Sequence, residues 1–197
     1  MNSPAGVPTW HERLAEALER NQDDPAARFV QLATIAVGPD GSATPANRTL
    51  VFRGFHREGT DLLFVTDCRS GKVQQIRNRP TVSVCWYFPN TREQFRLSGQ
   101  VRVVDADAVD SQVSEERRTL WERLSDSTKA QFGWGQPGAP TESGTSGPLP
   151  SAAPDTFCLL VLSPSRVDHL QVGVAPHRRT IHLLTASDTW DSRDVNP

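Results

Sequence analysis

TVSVCWYFPNTREQFRLSGQVRVVD, residues 81–105, decides the fold. TVSVCWYF (81–88) is rich in β-branched and aromatic residues, PNTR (89–92) is a turn, and EQFRLSGQVRVVD (93–105) alternates in character along its length. The stretch therefore predicts a strand, a tight connection and a second, long strand. Immediately upstream, DCRSGKVQQIRNRP (67–80) predicts a short helix, with Ser70 as N-cap, Val73 and Ile76 on its buried side and Pro80 closing it.

Further toward the N-terminus the pattern stays β. LLFVT (62–66) predicts a strand, and RFVQLATIAV (28–37) another that is buried on much of both faces. GPDGS (38–42) is a strong turn signal, so a hairpin should follow, with a return arm over residues 43–53. Five strands with one helical insertion suit a closed or partly closed antiparallel barrel. An amphipathic helix precedes them: Thr9 and Glu12 have capping-box spacing, Trp10, Leu14 and Leu18 recur every four residues, and Asp23, Asp24 and Pro25 end it.

Downstream, a second helix is expected from about residue 107 to 123, with Val109, Val113, Leu120 and Trp121 inward. The Gly-, Pro-, Ser- and Thr-rich stretch at about 133–156 reads as a mobile loop. FCLLVLSP (157–164) returns to sheet, two short strands follow near 167–172 and 178–184, and residues 186–197 are expected to be poorly packed. The fold class is mainly β with flanking helices. A single domain over 1–197 is expected, with its core at about 28–104 and 157–184.

The net charge of -2 argues against a general nucleic-acid or membrane-surface binder, which needs a basic excess. Three scattered cysteines without CxxC spacing predict reduced thiols and no metal site, as in a cytoplasmic protein. The start MNSPAGVPTWHERL lacks a basic segment followed by an apolar run, so no signal peptide is expected, and the apolar run 157–162 is too short to cross a bilayer.

Basic and polar residues gather at strand edges: Arg48 and Arg53, the segment from Thr66 to Lys72, Gln94 with Arg96, and His177-Arg178-Arg179. Singly, each reads as a solvated strand face or a helix cap. The segment VTDCRSGK (65–72) says more. Thr66 and Ser70 offer hydroxyls, Lys72 a charge, and the helix start offers backbone N–H groups, which together suit an anion. The GxxxxGK[ST] and GxGxxG spacings are absent, so any phosphate is held by side chains on a barrel.

The ordered series RTLVFRGF (48–55), FVTDCRSGK (64–72), NRPTVSVCW (78–86) and REQFRLSG (92–99) resembles the pyridoxamine 5′-phosphate oxidase family, and within it the branch of related FMN-binding proteins. The resemblance is continuous over residues 28–104, with a weaker match at 167–182. It implies an FMN-binding split β-barrel that forms a homodimer with FMN across the interface. The family's R-x-V-L-L-K strand falls on Arg48, Thr49, Leu50, Val51, Phe52 and Arg53, its aromatic-Thr pair on Val65 and Thr66, and its S-R-K turn on Ser70, Gly71 and Lys72. Gln94 and Arg179 fall on further flavin contacts. Arg48 and Lys72 would neutralise the phosphate, Thr66 and Ser70 would add hydrogen bonds, and Gln94 would address a polar edge of the ring.

On the substrate side the resemblance implies Arg53, Arg123, Ser127 and His177, and it assigns no catalytic residue. The departures are specific. Gly71 and Glu93 stand where the family has basic residues, Leu120 where the oxidases have Tyr, Ala175 where they have Arg, and Leu170 where a Trp packs on the flavin. Three functions follow. One is oxidation of pyridoxine or pyridoxamine 5′-phosphate, with a hydride passing from C4′ to FMN and on to oxygen. A second is FMN-dependent redox chemistry on another small molecule. The third is a non-catalytic flavin- or haem-binding module.

Overall fold

The computed structural model describes residues 9–56, 59–140 and 149–197. Eight strands form one antiparallel sheet: β1 (Phe29–Val37), β2 (Ala43–Phe55), β3 (Leu62–Asp67), β4 (Thr81–Phe88), β5 (Glu93–Val104), β6 (Phe157–Gln171), β7 (Arg178–Leu184) and β8 (Trp190–Val195). Their order is β3-β2-β1-β4-β5-β6-β7-β8, and a further pairing of β3 with β6 closes the first six into a barrel. β7 and β8 extend the sheet from the far half of β6. This is the split β-barrel that the motif series implies.

The barrel is filled by the inward residues of each strand, among them Leu32, Phe52, Phe64, Val84, Trp86, Phe95 and Leu160, all buried. Helix α1 (Trp10–Arg20) starts on the expected capping box: the Glu12 N–H donates to Thr9 Oγ1 and the Thr9 N–H to the Glu12 carboxylate. It buries Trp10, Leu14 and Ala17 against the barrel core. The Trp86 indole N–H, deep in the core, donates to the Ala27 carbonyl at 2.8 Å, so this large ring enters the interior with its one polar atom satisfied.

Strand β6 runs unbroken for 15 residues, where two shorter strands were expected. Pro164 and Ser165 do not end it, because a β-bulge absorbs them: Ser98 pairs with Arg166 while Gly99 pairs with Pro164, leaving Ser165 as the extra residue. The bulge turns β6 away from β3 and toward β7. It also presses the two chains together, since a Cβ on Gly99 would lie 2.1 Å from the Ser163 carbonyl oxygen.

Three other expectations are corrected. Helix α3 spans Ser111–Arg123, starting later than residue 107, because Asp110 accepts from the Gln112 N–H and caps it there. Val109 consequently lies before the helix and is fully exposed, whereas Val113, Leu120 and Trp121 are buried as expected. A short helix α4 (Asp126–Ala130), capped by Ser125, and a 3-10 turn (Gln131–Gly133) follow it. The C-terminal segment forms a strand: β8 pairs with β7, and Trp190 lies edge-on to Trp10 at 5.3 Å between ring centroids, while most of its other side chains stay exposed as expected.

The expected loop after residue 133 is tied down at both sides, with Thr156 Oγ1 donating to the Phe132 carbonyl at 3.0 Å and the Cys68 N–H to the Thr156 carbonyl at 2.7 Å. Residues 141–148 of that stretch lie outside the described residues. No helix among the described residues is long and apolar enough to cross a membrane.

Replacing Gly99 by Ala forces the backbones of β5 and β6 apart, and overpacking of this kind typically costs about 1–3 kcal/mol. A urea titration of Gly99→Ala should show that loss as a lower midpoint with an unchanged slope.

Candidate flavin site

The cavity that matters opens on the outer side of the barrel, over β2 and β3. It has a volume of about 430 Å³, with Thr49, Val51 and Arg53 on one strand and Val65, Thr66 and Asp67 on the next. Ser70 and Lys72, from the start of helix α2 (Gly71–Asn78), complete that side, and the opposite wall comes from residues 128–137.

Local folding explains each placement. Ser70 occupies the N-cap position of α2, yet its hydroxyl makes no capping bond. It accepts instead from Lys72 Nζ at 3.0 Å, and Thr66 Oγ1 accepts from the same ammonium at 2.9 Å. Hydroxyl, ammonium and hydroxyl are thus gathered within one turn of chain. Burial, and then repulsion from Arg48, lower the Lys72 pKa from its ordinary value. No carboxylate pairs with Lys72 among the described residues.

Arg48 stands behind this cluster and does not line the cavity. One nitrogen, Nη1, donates to Thr34 Oγ1 at 2.6 Å and to the carbonyls of Ala46 and Leu32 at 3.1 and 3.3 Å. The other, Nη2, donates to Gln75 Oε1 at 2.9 Å, which also accepts from the Thr34 hydroxyl at 2.6 Å. Every partner is neutral, and burial lowers the pKa of Arg48 as well. Among the described residues neither cation has a carboxylate partner, a setting suited to an anion.

Arg53 reaches the cavity for a different reason. β2 and β3 pair as Phe52 with Phe64 and Gly54 with Leu63, so Arg53 is the extra residue of a bulge. Gly54 takes φ +141°, a conformation L side chains rarely adopt, and makes the bulge feasible. The bulge aims Arg53 into the cavity, where its Nε is buried without a hydrogen-bond partner among the described residues. Burial, then repulsion from Arg28, lower its pKa.

The remaining residues of interest lie elsewhere on the chain. Gln94 and Arg179 share a row across β5, β6 and β7, each registered with Leu170, so both point from the same face. Arg179 is engaged with Asp168 through Nε at 3.0 Å and Nη2 at 2.9 Å. That face runs back toward the cavity through Cys85, Gln31 and Thr49, which register across β4, β1 and β2. Arg123, Ser127 and His177 are exposed and line no part of the cavity in one chain, while Leu120 is buried in the α3 packing. Among the described residues, no cluster of His, Cys, Asp or Glu is arranged to hold a metal.

Thr34 and Gln75, which hold Arg48, and Thr128, Gln131 and Trp134, which form the far wall, were missed in the sequence. Gln75 sits on a helix whose pattern shows only its apolar positions. The far wall follows a helix of five residues, too short for any periodicity to register.

Comparison with known proteins agrees with this architecture. Residues 7–105 match the profile of the family described as pyridoxamine 5′-phosphate oxidase, FMN-binding domain. A pyridoxine/pyridoxamine 5′-phosphate oxidase 2 of Arabidopsis thaliana is 34% identical over 97% of this chain and 98% of its own. A pyridoxine/pyridoxamine 5′-phosphate oxidase of Azotobacter vinelandii is 29% identical, but over only 52% of this chain and 45% of its own. Among solved structures, a pyridoxamine 5′-phosphate oxidase-related, FMN binding protein of Nostoc punctiforme is 43% identical with a TM-score of 0.88, covering 98% of this chain and 100% of that one. The chain belongs to the pyridoxamine 5′-phosphate oxidase FMN-binding family, and its cofactor is FMN.

The Lys72 cluster fits the phosphate of that cofactor in charge and in donor chemistry. Lys72→Ala should weaken FMN binding by about 10- to 100-fold, the range for loss of one or two charge-assisted hydrogen bonds. In the wild-type apoprotein, affinity for FMN should fall as pH rises, beginning below the ordinary lysine value of 10.5, because the ammonium loses its proton early. Lys72→Arg should abolish that alkaline loss in a fluorescence titration of free FMN.

Proposed function

We propose that the protein is an FMN-dependent oxidase acting on pyridoxine or pyridoxamine 5′-phosphate. One observation carries the reading: the cavity holds two separate cationic points, the Lys72 cluster and the bulged Arg53, neither of them in an ion pair among the described residues. Such a pair suits two phosphates, one on the cofactor and one on the substrate. Similarity to the Arabidopsis relative along almost its whole length supports the same reaction.

In this reading Lys72, Thr66 and Ser70 bind the FMN phosphate directly, and Arg48 adds charge from behind while Thr34 and Gln75 hold it still. Thr49, Leu50, Val51 and Val65 line the flavin. Arg53 binds the substrate phosphate, satisfying its orphaned Nε. Bound FMN would supply the two-electron acceptor for the hydride lost at C4′ of the substrate, with oxygen as the final acceptor and hydrogen peroxide as its product. The protein's own share is orientation, charge neutralisation and exclusion of water.

A homodimer completes the site. The outer face bearing Gln94 and Arg179 also exposes Phe29 and Tyr87, and three strand spacings of about 4.8 Å separate Gln94 from β2. A second copy seated on this face brings Gln94 and Arg179 to a flavin at the interface, and supplies Arg123, Ser127 and His177 from outside the cavity of one chain. All three cysteines are free, which suits a reducing, cytoplasmic setting and a single-domain enzyme without disulfides.

Leu120 and Ala175, which stand where the oxidases have Tyr and Arg, favour a second reading, FMN-dependent chemistry on a different small molecule. One experiment separates the two. Purified protein, shown to release FMN on heating, is incubated with pyridoxine 5′-phosphate and oxygen. Formation of pyridoxal 5′-phosphate with an equal amount of hydrogen peroxide is expected, and Arg53→Ala should raise KM at least tenfold. Absence of product at high enzyme concentration rejects the vitamin B6 reaction. Size-exclusion chromatography with light scattering should give twice the chain mass, and a monomer retaining FMN would contradict the shared site.

A further inference from the structure

The far wall of the cavity is built differently from the wall that holds the phosphate. It consists of Thr128, Gln131, Phe132, Trp134, Gly135 and Pro137, and only Phe132 among its large residues is buried. Phe132 is wedged edge-on between Trp121 and Phe157, at centroid distances of 5.6 and 5.0 Å. Two residues on, Trp134 is 51% exposed yet lines the cavity. A large aromatic ring left half in water at a cavity mouth has unused stacking surface.

Its position is held from across the cavity. Asp67 grips Arg69 in a two-point ion pair, Nε to Oδ1 at 3.0 Å and Nη2 to Oδ2 at 2.6 Å, and Asp67 Oδ1 also accepts the Arg69 N–H at 2.8 Å. The same Nη2 donates to the Trp134 carbonyl at 3.1 Å. Asp67 is the last residue of β3 and Ser70 begins the phosphate cluster, so one guanidinium connects the turn beneath the cofactor phosphate to the backbone of the facing wall. Burial of Phe132 on one side and the Arg69 bond on the other leave the Trp134 backbone little freedom.

We propose that Trp134 is the specificity-determining wall of the cavity, selecting a flat aromatic substrate by stacking, and that Arg69 is a positioning residue that sets this wall against the cofactor side. The inference rests on the reading of the cavity as the flavin site, and it holds whichever flat ring the enzyme oxidises. Asp67 and the Trp134 carbonyl engage Nε and Nη2 of Arg69, so these donors serve the wall. Trp134 touches neither Lys72 nor its hydroxyl partners through any hydrogen bond among the described residues, so its loss should spare the cofactor.

The test uses FMN-loaded protein and three probes: pyridoxal 5′-phosphate, quinoline-2-carboxylate as a flat ring without phosphate, and ribose 5-phosphate as a phosphate without an aromatic ring. Binding is read from the flavin absorbance. Trp134→Ala should weaken binding of the aromatic probe that the wild type takes by about tenfold, the size of one lost stacking contact with its buried area. Trp134→Phe should restore most of it. Affinity for FMN and for ribose 5-phosphate should stay within about twofold.

Arg69→Ala should reproduce the aromatic-selective loss, and the double variant should lose no more than either single one, the signature of two residues acting as a unit. Binding of quinoline-2-carboxylate without pyridoxal 5′-phosphate, lost in Trp134→Ala, rejects the vitamin B6 substrate and upholds the wall. The proposal is overturned if the wild type binds neither aromatic probe, if Trp134→Ala leaves their affinity unchanged, or if it weakens FMN as much as the probes.

Discussion

Pairing of β3 with β6 is the constraint on which the rest of the structure depends. β3 is short and lies at one end of the strand order, so without β6 its backbone N–H and C=O groups would face water along a bare edge. Six registered pairs, from Leu62 with Leu162 to Asp67 with Phe157, remove that edge and close the barrel. They also fix Val65, Thr66 and Asp67 as one side of the cavity and set the point where the chain turns into α2. β6 can serve both β3 and β7 only because the bulge at Ser165 redirects it halfway.

Departures from regular strand and helix geometry make the site. A regular β2 would put Arg53 opposite a partner on β3, and the bulge frees it to enter the cavity. A regular cap would turn the Ser70 hydroxyl to the backbone of α2, whereas here it faces Lys72. In each case a polar group forgoes an ordinary local partner and stands in a position suited to a ligand. Neutral groups alone steady Arg48, which preserves its charge for whatever anion enters, since a carboxylate in the place of Gln75 would cancel it.

Much of the fold was legible because burial alternates along β4 and β5 and turn residues mark the ends of their neighbours. The boundaries of β4 and β7 follow directly from their apolar pattern, and those of β1, β3 and β5 lie within a residue of expectation. The N-terminal helix was legible from two residues, Thr9 and Glu12, whose capping chemistry is local. What escaped was non-local. Pro164 reads as a strand end until the opposing Gly99 and the bulge are known, and Trp190 finds its partner only in Trp10 at the other end of the chain. In the site, Lys72, Thr66 and Ser70 lie close in sequence and were visible. Trp134 and Gln75 act across the fold, and no spacing rule connects them to the residues they serve.

The proximity of Arg48 and Lys72 has a consequence for the protein's abundance. Two like charges in a partly dehydrated place work against folding of the empty chain, and a bound dianion turns the same charges into attraction. Ligand that binds only the folded form adds RT ln(1 + [L]/Kd), about 2.7 kcal/mol at a hundredfold excess over Kd, which is a large share of a typical domain's stability. Because FMN is the cofactor of this chain, its supply raises the folded fraction by the same linkage.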